Sequence, residues 1–532
     1  MKKLTLAAIL LAFTFAITAC GTDNNNTTKS TDNAATQTSD SANAQGGLMV
    51  LGIGSDPTSV NPLYANDRVS LTISNVLYDA LYHVKSGEIV YDGLAESITP
   101  SDDFLTYTLK LKNDIKWHDG TPITADDIIF TYDTILDDKQ NAKGQSFLKS
   151  EAGQVQYTKV DDQTVEYKLP EVDMTFTQGI ASMVPVPKHV FEGETDIAKS
   201  SKNQSPIGSG PFKFKEHKTG ELYQVERYDE YHGDVAKLDG IAYKVIPDTN
   251  ASMVALESGE ISVSYIKPKD VSKFESNENF QIVSFPEGMV DTIFFRVSSE
   301  NLKDVRVRQA ISYAIDKEKL IEGTYLSKEY ATPAYSPFSI NTASYTDDVE
   351  KYEQDLDKAK SLLKEAGAEN LELKFMYTSG NPAQEKEALL VQEMLKEVGI
   401  NAELLPMERS TFIEKLLDPT NHDFDMALNG YVMGDNPHSY SSIFKTGSAE
   451  NFSAYSNPKV DELFESAKKE TDEQKRDEIY KELQQILVED AVEYPIANVN
   501  SILAVGKNFT NLDEASPAPI HMFDYFNKIE SK

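Results

Sequence analysis

Leu371-Glu-Leu-Lys-Phe-Met-Tyr377, then Pro382 to Val398, then Ile400-Asn-Ala-Glu-Leu-Leu405 follow one another with short connections, and their order decides the fold class. The first and third are strand-like apolar runs, and the middle one is a long amphipathic helix ended by Gly399. A strand, a crossover helix and a second strand make a parallel pair, because parallel strands need a long connection. Just upstream, Leu356, Ala359, Leu362, Leu363 and Ala366 form one apolar stripe, and Gly367 supplies the helix stop. Downstream, Thr411 to Leu417 reads as a helix and Asp423-Phe-Asp-Met-Ala-Leu428 as a strand. The segment Asn429 to Pro437 is therefore expected to be a loop leaving the carboxyl end of a parallel strand. In open α/β sheets that is where ligands bind.

Working back toward the amino terminus, the pattern becomes mixed α/β with several hairpins. Val155 to Val160 and Thr164 to Leu169 turn at Asp161-Asp162; Phe212 to Glu216 and Leu222 to Arg227 turn at Lys218-Thr219-Gly220. Ala251 to Ser258 is a short helix closed by Gly259, with a strand from Ile261 to Ile266 behind it.

The first residues have a different character. Lys2 and Lys3 precede an uncharged run from Leu4 to Ala19, and Cys20, the only cysteine among 532 residues, follows at once. This is the layout of a secretory signal over residues 1–19, with Cys20 as the site of lipidation. A lone thiol in an exported chain is better explained by acylation than by a disulfide. Residues 20–46, rich in Thr, Asn, Asp, Ser, Ala, Gln and Gly, lack the apolar surface to fold and are expected to be a solvated leash from the membrane lipid on the extracellular face of the cell. The net charge of −34 disfavours nucleic acid, whose phosphates need Lys or Arg.

Motifs of chemistry are missing. No Gly-x-Gly-x-x-Gly, P-loop, Gly-x-Ser-x-Gly or His-Glu-x-x-His occurs, so no cofactor, metal site or catalytic group is expected.

Three segments carry a resemblance. The first runs from Leu94-Ala-Glu-Ser-Ile-Thr-Pro-Ser-Asp102 through Tyr107-Thr-Leu-Lys-Leu-Lys112 to Ile115-Lys-Trp-His-Asp-Gly-Thr-Pro-Ile-Thr-Ala-Asp-Asp-Ile-Ile-Phe-Thr131. The second is Pro206-Ile-Gly-Ser-Gly-Pro-Phe-Lys-Phe214, and the third Val305-Arg-Val-Arg-Gln-Ala-Ile-Ser-Tyr-Ala-Ile-Asp316. Together they resemble the extracytoplasmic solute-binding proteins of peptide and nickel ABC importers, most of all the oligopeptide- and dipeptide-binding lipoproteins of Gram-positive bacteria. The resemblance covers residues 47 to 532. The motifs themselves read as scaffold: Asp119-Gly120 as a turn, Thr124 as a helix N-cap, Gly208-Ser209-Gly210 as a tight entry into a hairpin.

The resemblance implies an α/β, two-lobed periplasmic-binding-protein-like fold with a hinged cleft and an extra subdomain. Lobe I would comprise 47–285 and 490–532, with the subdomain near 86–194, and lobe II 286–489. Asp291 to Val297 and Glu493 to Val499 would be the hinges. It further implies a monomeric, non-enzymatic receptor that captures short peptides and delivers them to a membrane permease. Ligand contacts are expected from Gly430, Tyr431, Val432, Met433, Gly434, Asp435 and His438 on one wall, with Asp435 pairing with the peptide's ammonium. Ser55, Asp56 and Ser59 are expected on the other wall. A rival reading is a metal-chelate binder, with His438 ligating the metal and Arg296 meeting a chelator carboxylate. A secreted hydrolase or a peptide-sensing surface protein is the alternative of another class.

Overall fold

The structure is a computed structural model, and it describes residues 47–85 and 87–532. The signal segment, Cys20 and the leash lie outside the described residues. Eleven strands form one sheet: β1 (Leu48–Ile53), β2 (Phe212–Lys218), β3 (Leu222–Arg227), β4 (Gly240–Val245), β5 (Val263–Tyr265), β6 (Phe280–Phe295), β7 (Ala331–Pro333), β8 (Glu372–Thr378), β9 (Asn401–Met407), β10 (Met426–Val432) and β11 (Glu493–Gly506). Their spatial order is β2-β3-β4-β1-β5-β11-β6-β10-β8-β9, with β7 paired to β11. β8 and β9 are parallel, joined by the helix Pro382–Lys396, as the sequence predicts. Gly367, in the left-handed region at φ +67°, closes the helix Leu356–Ala366.

One departure bears on the site. The strand expected over 423–428 instead runs Met426–Val432, so Gly430, Tyr431 and Val432 are strand residues rather than loop. Asn and Gly are turn formers locally, but here they pair antiparallel with Asp291 and Thr292 of β6, and that tertiary ladder overrides the local preference. β10 also pairs parallel with β8, through Phe375↔Met426 and Met376↔Ala427.

In the second half the period of two sorts residues into two cores. Ile293, Phe295, Leu373, Phe375, Met426 and Leu428 pack on one face of the sheet. Val290, Phe294, Met376, Ala427 and Tyr431 pack on the other. The first half, from Met49 to Phe285, shares one core with the C-terminal residues Leu503 to Ile529. The four-stranded sheet between Ala95 and Lys168 joins this core through Tyr107, Leu109, Val165 and Tyr167.

Two long strands, β6 and β11, run from one half to the other. The core changes between Phe285 and Val290 on β6, and between Ala497 and Ile502 on β11. The register shifts at Pro286–Met289, where Glu287 and Gly288 are passed over. The crossing thus lies upstream of the expected hinge 291–297, because Ile293 to Phe295 and Tyr494 to Ala497 are already inside the second-half cores.

The signature segments are scaffold. Trp117 is fully buried, and Thr124 and Asp127 form a capping box on the helix Ala125–Leu136. Gly208 is required by close approach: a Cβ there would stand 1.9 Å from the Leu77 carbonyl oxygen. His118 clamps the same turn. Its Nδ1 accepts from the Gly208 N–H at 3.1 Å, which leaves Nε2 to donate to the Gly210 carbonyl at 3.0 Å. Burial pulls its pKa down to about 4, consistent with the neutral ring this geometry needs.

Candidate functional site

The crossing at Glu287–Gly288 is where the two halves and the C-terminal residues meet. Gly288, at φ +70°, has Asn341, Val432 and Pro519 each 3.8 Å from where a Cβ would stand. Glu287 is buried; it forms an ion pair with Arg68 and accepts from the Ser501 hydroxyl. Arg68 also donates to Tyr265 Oη at 2.9 Å. It opens the helix Arg68–Leu77, whose cap is Asp67. Burial alone would raise the Asp67 carboxyl, but bonds from Ser70 and Thr58 hold it below its usual range.

Those same bonds tie down the loop that carries the expected lobe I contacts. Thr58 Oγ1 donates to Asp67 at 2.5 Å, and Ser70 Oγ accepts from the Ser59 N–H at 3.3 Å. Ser59 Oγ accepts from the Asn61 N–H at 3.3 Å, and Ser55 is exposed. Asp56 faces elsewhere: its carboxylate holds His217 at 3.1 Å and the Gly220 N–H at 2.7 Å, pinning the β2–β3 turn.

On the opposite wall the side chains of β10 divide. Tyr431 is buried, its hydroxyl 2.5 Å from the Pro337 carbonyl and 2.6 Å from Glu493 Oε1, so its ring belongs to the core and not to a ligand-facing surface. Burial raises its pKa well above the ordinary value, and pushes the Glu493 carboxyl up to about 8. Gly430 lies against Met289, whose sulfur would be 2.9 Å from a Cβ. Val432 and Gly434 are exposed, and Met433 is half-buried against the core.

Beyond Val432 the chain is fastened to the segment 339–344. Thr342 Oγ1 donates to the Gly434 carbonyl at 3.1 Å, and the Ala343 N–H to the Asp435 carbonyl at 2.9 Å. Asn436 Oδ1 accepts from the His438 N–H at 2.9 Å and caps the short 3₁₀ turn Pro437–Tyr440. Half-buried Asp435 therefore sits on a loop with an anchored backbone. His438 lies edge-on to Phe464 with Nδ1 3.3 Å from Tyr480 Oη; burial lowers its pKa to about 4 and leaves the ring neutral.

Arg296 is not where a chelator carboxylate could meet it. Its side chain is fully buried, its guanidinium stacked 4.4 Å over Phe424. Nη2 donates to the carbonyls of Lys415 and Leu416, at the end of the helix Arg409–Leu417. The cation satisfies orphan carbonyls at the negative end of a helix, which is a packing role. Among the described residues, no group of three or more His, Cys, Asp or Glu is placed to hold a metal ion.

Beside the loop lies a cavity of about 860 Å³. Asn436, Pro437 and, from the helix Glu473–Glu489, Glu473, Arg476 and Tyr480 line it together with Val84, Ile89, Thr175 and Gln178 from the first half. The sequence reading missed this space, along with Arg68, Glu287 and the 339–344 segment. Only Pro286-Glu287-Gly288 carries a local signal, a turn inside an apolar run.

Comparison with known proteins gives this arrangement its context. The family profile of the bacterial extracellular solute-binding proteins, family 5 Middle, matches residues 90–452. The oligopeptide-binding protein AppA of Bacillus subtilis is 32% identical over 514 residues, covering 92% of this chain and 91% of AppA. The crystal structure of the ABC transporter substrate-binding protein CtaP from Listeria monocytogenes superposes with a TM-score of 0.88 at 40% identity, covering 91% of this chain and 99% of CtaP. The structure of B. subtilis AppA in complex with a nonapeptide gives 0.75 at 29% identity, covering 92% and 99%. The chain belongs to family 5 of the bacterial extracellular solute-binding proteins, with the mixed α/β periplasmic-binding-protein fold, and is a binding protein of an ABC importer for peptides or related solutes rather than an enzyme.

Proposed function

We propose that this protein captures short peptides between two closing lobes and hands them to a membrane permease, working as a monomer without a cofactor. The observation that carries this reading is the Val432–Asn436 segment. It stands at the end of β10, beside the crossing, with an exposed strand end and a carboxylate at Asp435 on an anchored backbone. A strand end can pair with an extended ligand whatever its side chains, and the carboxylate can receive a terminal ammonium. The likeness to an AppA structure that holds a nonapeptide supports the same ligand class. In this reading lobe I is 47–285 with 490–532, lobe II is 286–489, and the lobes close about Pro286–Met289.

Native mass spectrometry after incubation with a peptide pool tests the proposal. Intact peptides in the denatured eluate are the expected result. Cleaved products would point to a hydrolase, and retention of a nickel chelate with no peptide would move the protein to the metal-chelate class.

We also propose that the mature chain is tethered through a lipid on Cys20, with the leash separating anchor from fold. The Cys20→Ala protein is then expected in the culture medium with an unaltered melting temperature. Retention of that variant in washed membranes would refute the anchor.

A further inference from the structure

The two halves of the molecule also meet away from the crossing strands β6 and β11. Leu169 and Phe176 belong to the first-half core, while Val460, Leu463, Phe464 and Ala467 of the helix Pro458–Lys469 pack in a second-half core. The short segment between Leu169 and Phe176 touches the last turn of that helix through three bonds. The Met174 N–H donates to the Lys468 carbonyl at 2.8 Å, Lys468 Nζ pairs with Asp173 at 3.2 Å, and Lys469 Nζ pairs with Glu171 at 2.6 Å. Met174 also lines the cavity beside the Asp435 loop, so these bonds lie on its rim.

The partners are prepared for the contact within their own halves. The Lys468 carbonyl is among the last four of its helix, which have no partner inside the helix, and Met174 supplies the missing donor from the other half. Asp173 Oδ1 accepts from the Thr175 N–H at 2.9 Å and from its hydroxyl at 2.6 Å, which fixes the carboxylate and leaves Oδ2 to Lys468. A carboxylate held in this way loses little freedom when the lysine arrives, and that loss is part of what makes most surface pairs weak. The pair is also shielded: the side chains of Lys468 and Asp173 are 16% and 24% exposed, against 47% and 31% for Lys469 and Glu171. Among the described residues no apolar cluster spans the contact, so it can part without opening either core.

We propose that these three bonds form a latch that holds the lobes closed without ligand, so that the peptide adds its contacts to a closure already favoured. This rests on the two-lobe part of the reading above and not on the identity of the ligand. Lys468 and Lys469 also suit the negative end of their helix, a role that would be indifferent to the position of the lobes. The carboxylate partners in the other half allow the two roles to be told apart.

The test is small-angle X-ray scattering of the ligand-stripped Cys20→Ala chain, read as a ratio of closed to open form. Two variants of that chain break the latch from opposite sides: Lys468→Ala with Lys469→Ala, and Glu171→Gln with Asp173→Asn. Each is expected to lower the ratio by roughly 3- to 10-fold in low salt. The differences from the parent chain should shrink near 1 M salt, where the screening length falls to about 3 Å. Unchanged scattering in both variants, whatever their melting temperatures, would overturn the latch. A shift in the lysine variant alone would also overturn it and leave the lysines as helix-end charges. If adding alanine-rich peptides compacts all three chains equally while the ligand-stripped forms do not differ, the lobes close but without a latch. Scattering that responds neither to peptide nor to substitution would overturn the two-lobe reading, and the latch with it.

Discussion

Asp435→Asn is expected to weaken binding of a peptide with a free amino terminus by about 2–5 kcal/mol, because the substitution leaves an ammonium in a closed cleft without its counter-charge. The loop geometry should survive the change. Its backbone is held by Thr342 and Ala343, and the Asn436 cap lies one residue further on, so an isosteric amide disturbs none of these bonds. N-acetylating the peptide should damage binding to the wild type by a comparable amount. In Asp435→Asn the same acetylation should cost far less, since the charge pair it removes is already absent. A double-mutant cycle by calorimetry, substitution against acetylation, reads this as non-additivity. Additive losses would mean that the amino terminus binds elsewhere.

Local patterns reached the fold and stopped short of the site, for physical reasons that particular residues make plain. The unit from Leu371 to Leu405 was legible because strand period, helix period and a glycine stop all agree over a short span. The end of β10 was not. Asn429 and Gly430 look like a turn, and only pairing with Thr292 and Asp291, far away in the chain, holds them in a strand. Asp56 meets His217 across 161 residues, and Arg296 caps a helix more than a hundred residues ahead. Such partners leave no periodic trace in sequence. The cavity beside the Asp435 loop is likewise made by segments far apart in the chain, from Val84 to Lys481, brought together only by the fold, so no motif could announce it.

Glu493→Gln is expected to remove a large pH dependence from the stability of the protein. Tyr431 has one proton and two oxygen neighbours, the Pro337 carbonyl at 2.5 Å and Glu493 Oε1 at 2.6 Å. A carbonyl can only accept, so when Tyr431 donates to Pro337 the Glu493 carboxyl must be protonated and donate to Tyr431. Burial, which raises its pKa from 4.5 to about 8, supplies the reason. The folded value lies above the unfolded one, so the contribution to stability is complete below about pH 4.5 and is lost progressively as pH rises to about 8. Its size over that window is on the order of 3–5 kcal/mol, from about 1.4 kcal/mol per pKa unit. A glutamine amide donates to Tyr431 as the protonated acid does, and cannot ionise. Urea unfolding from pH 5 to about pH 8 should show the wild type losing stability relative to Glu493→Gln, with the variant the more stable at the alkaline end. Asp291 and Glu387, a buried pair whose carboxyls burial also raises, are present in both proteins and cancel in the difference. Parallel pH profiles for the two proteins would show that Glu493 is ionised in the fold, and that Tyr431 donates to it rather than to Pro337.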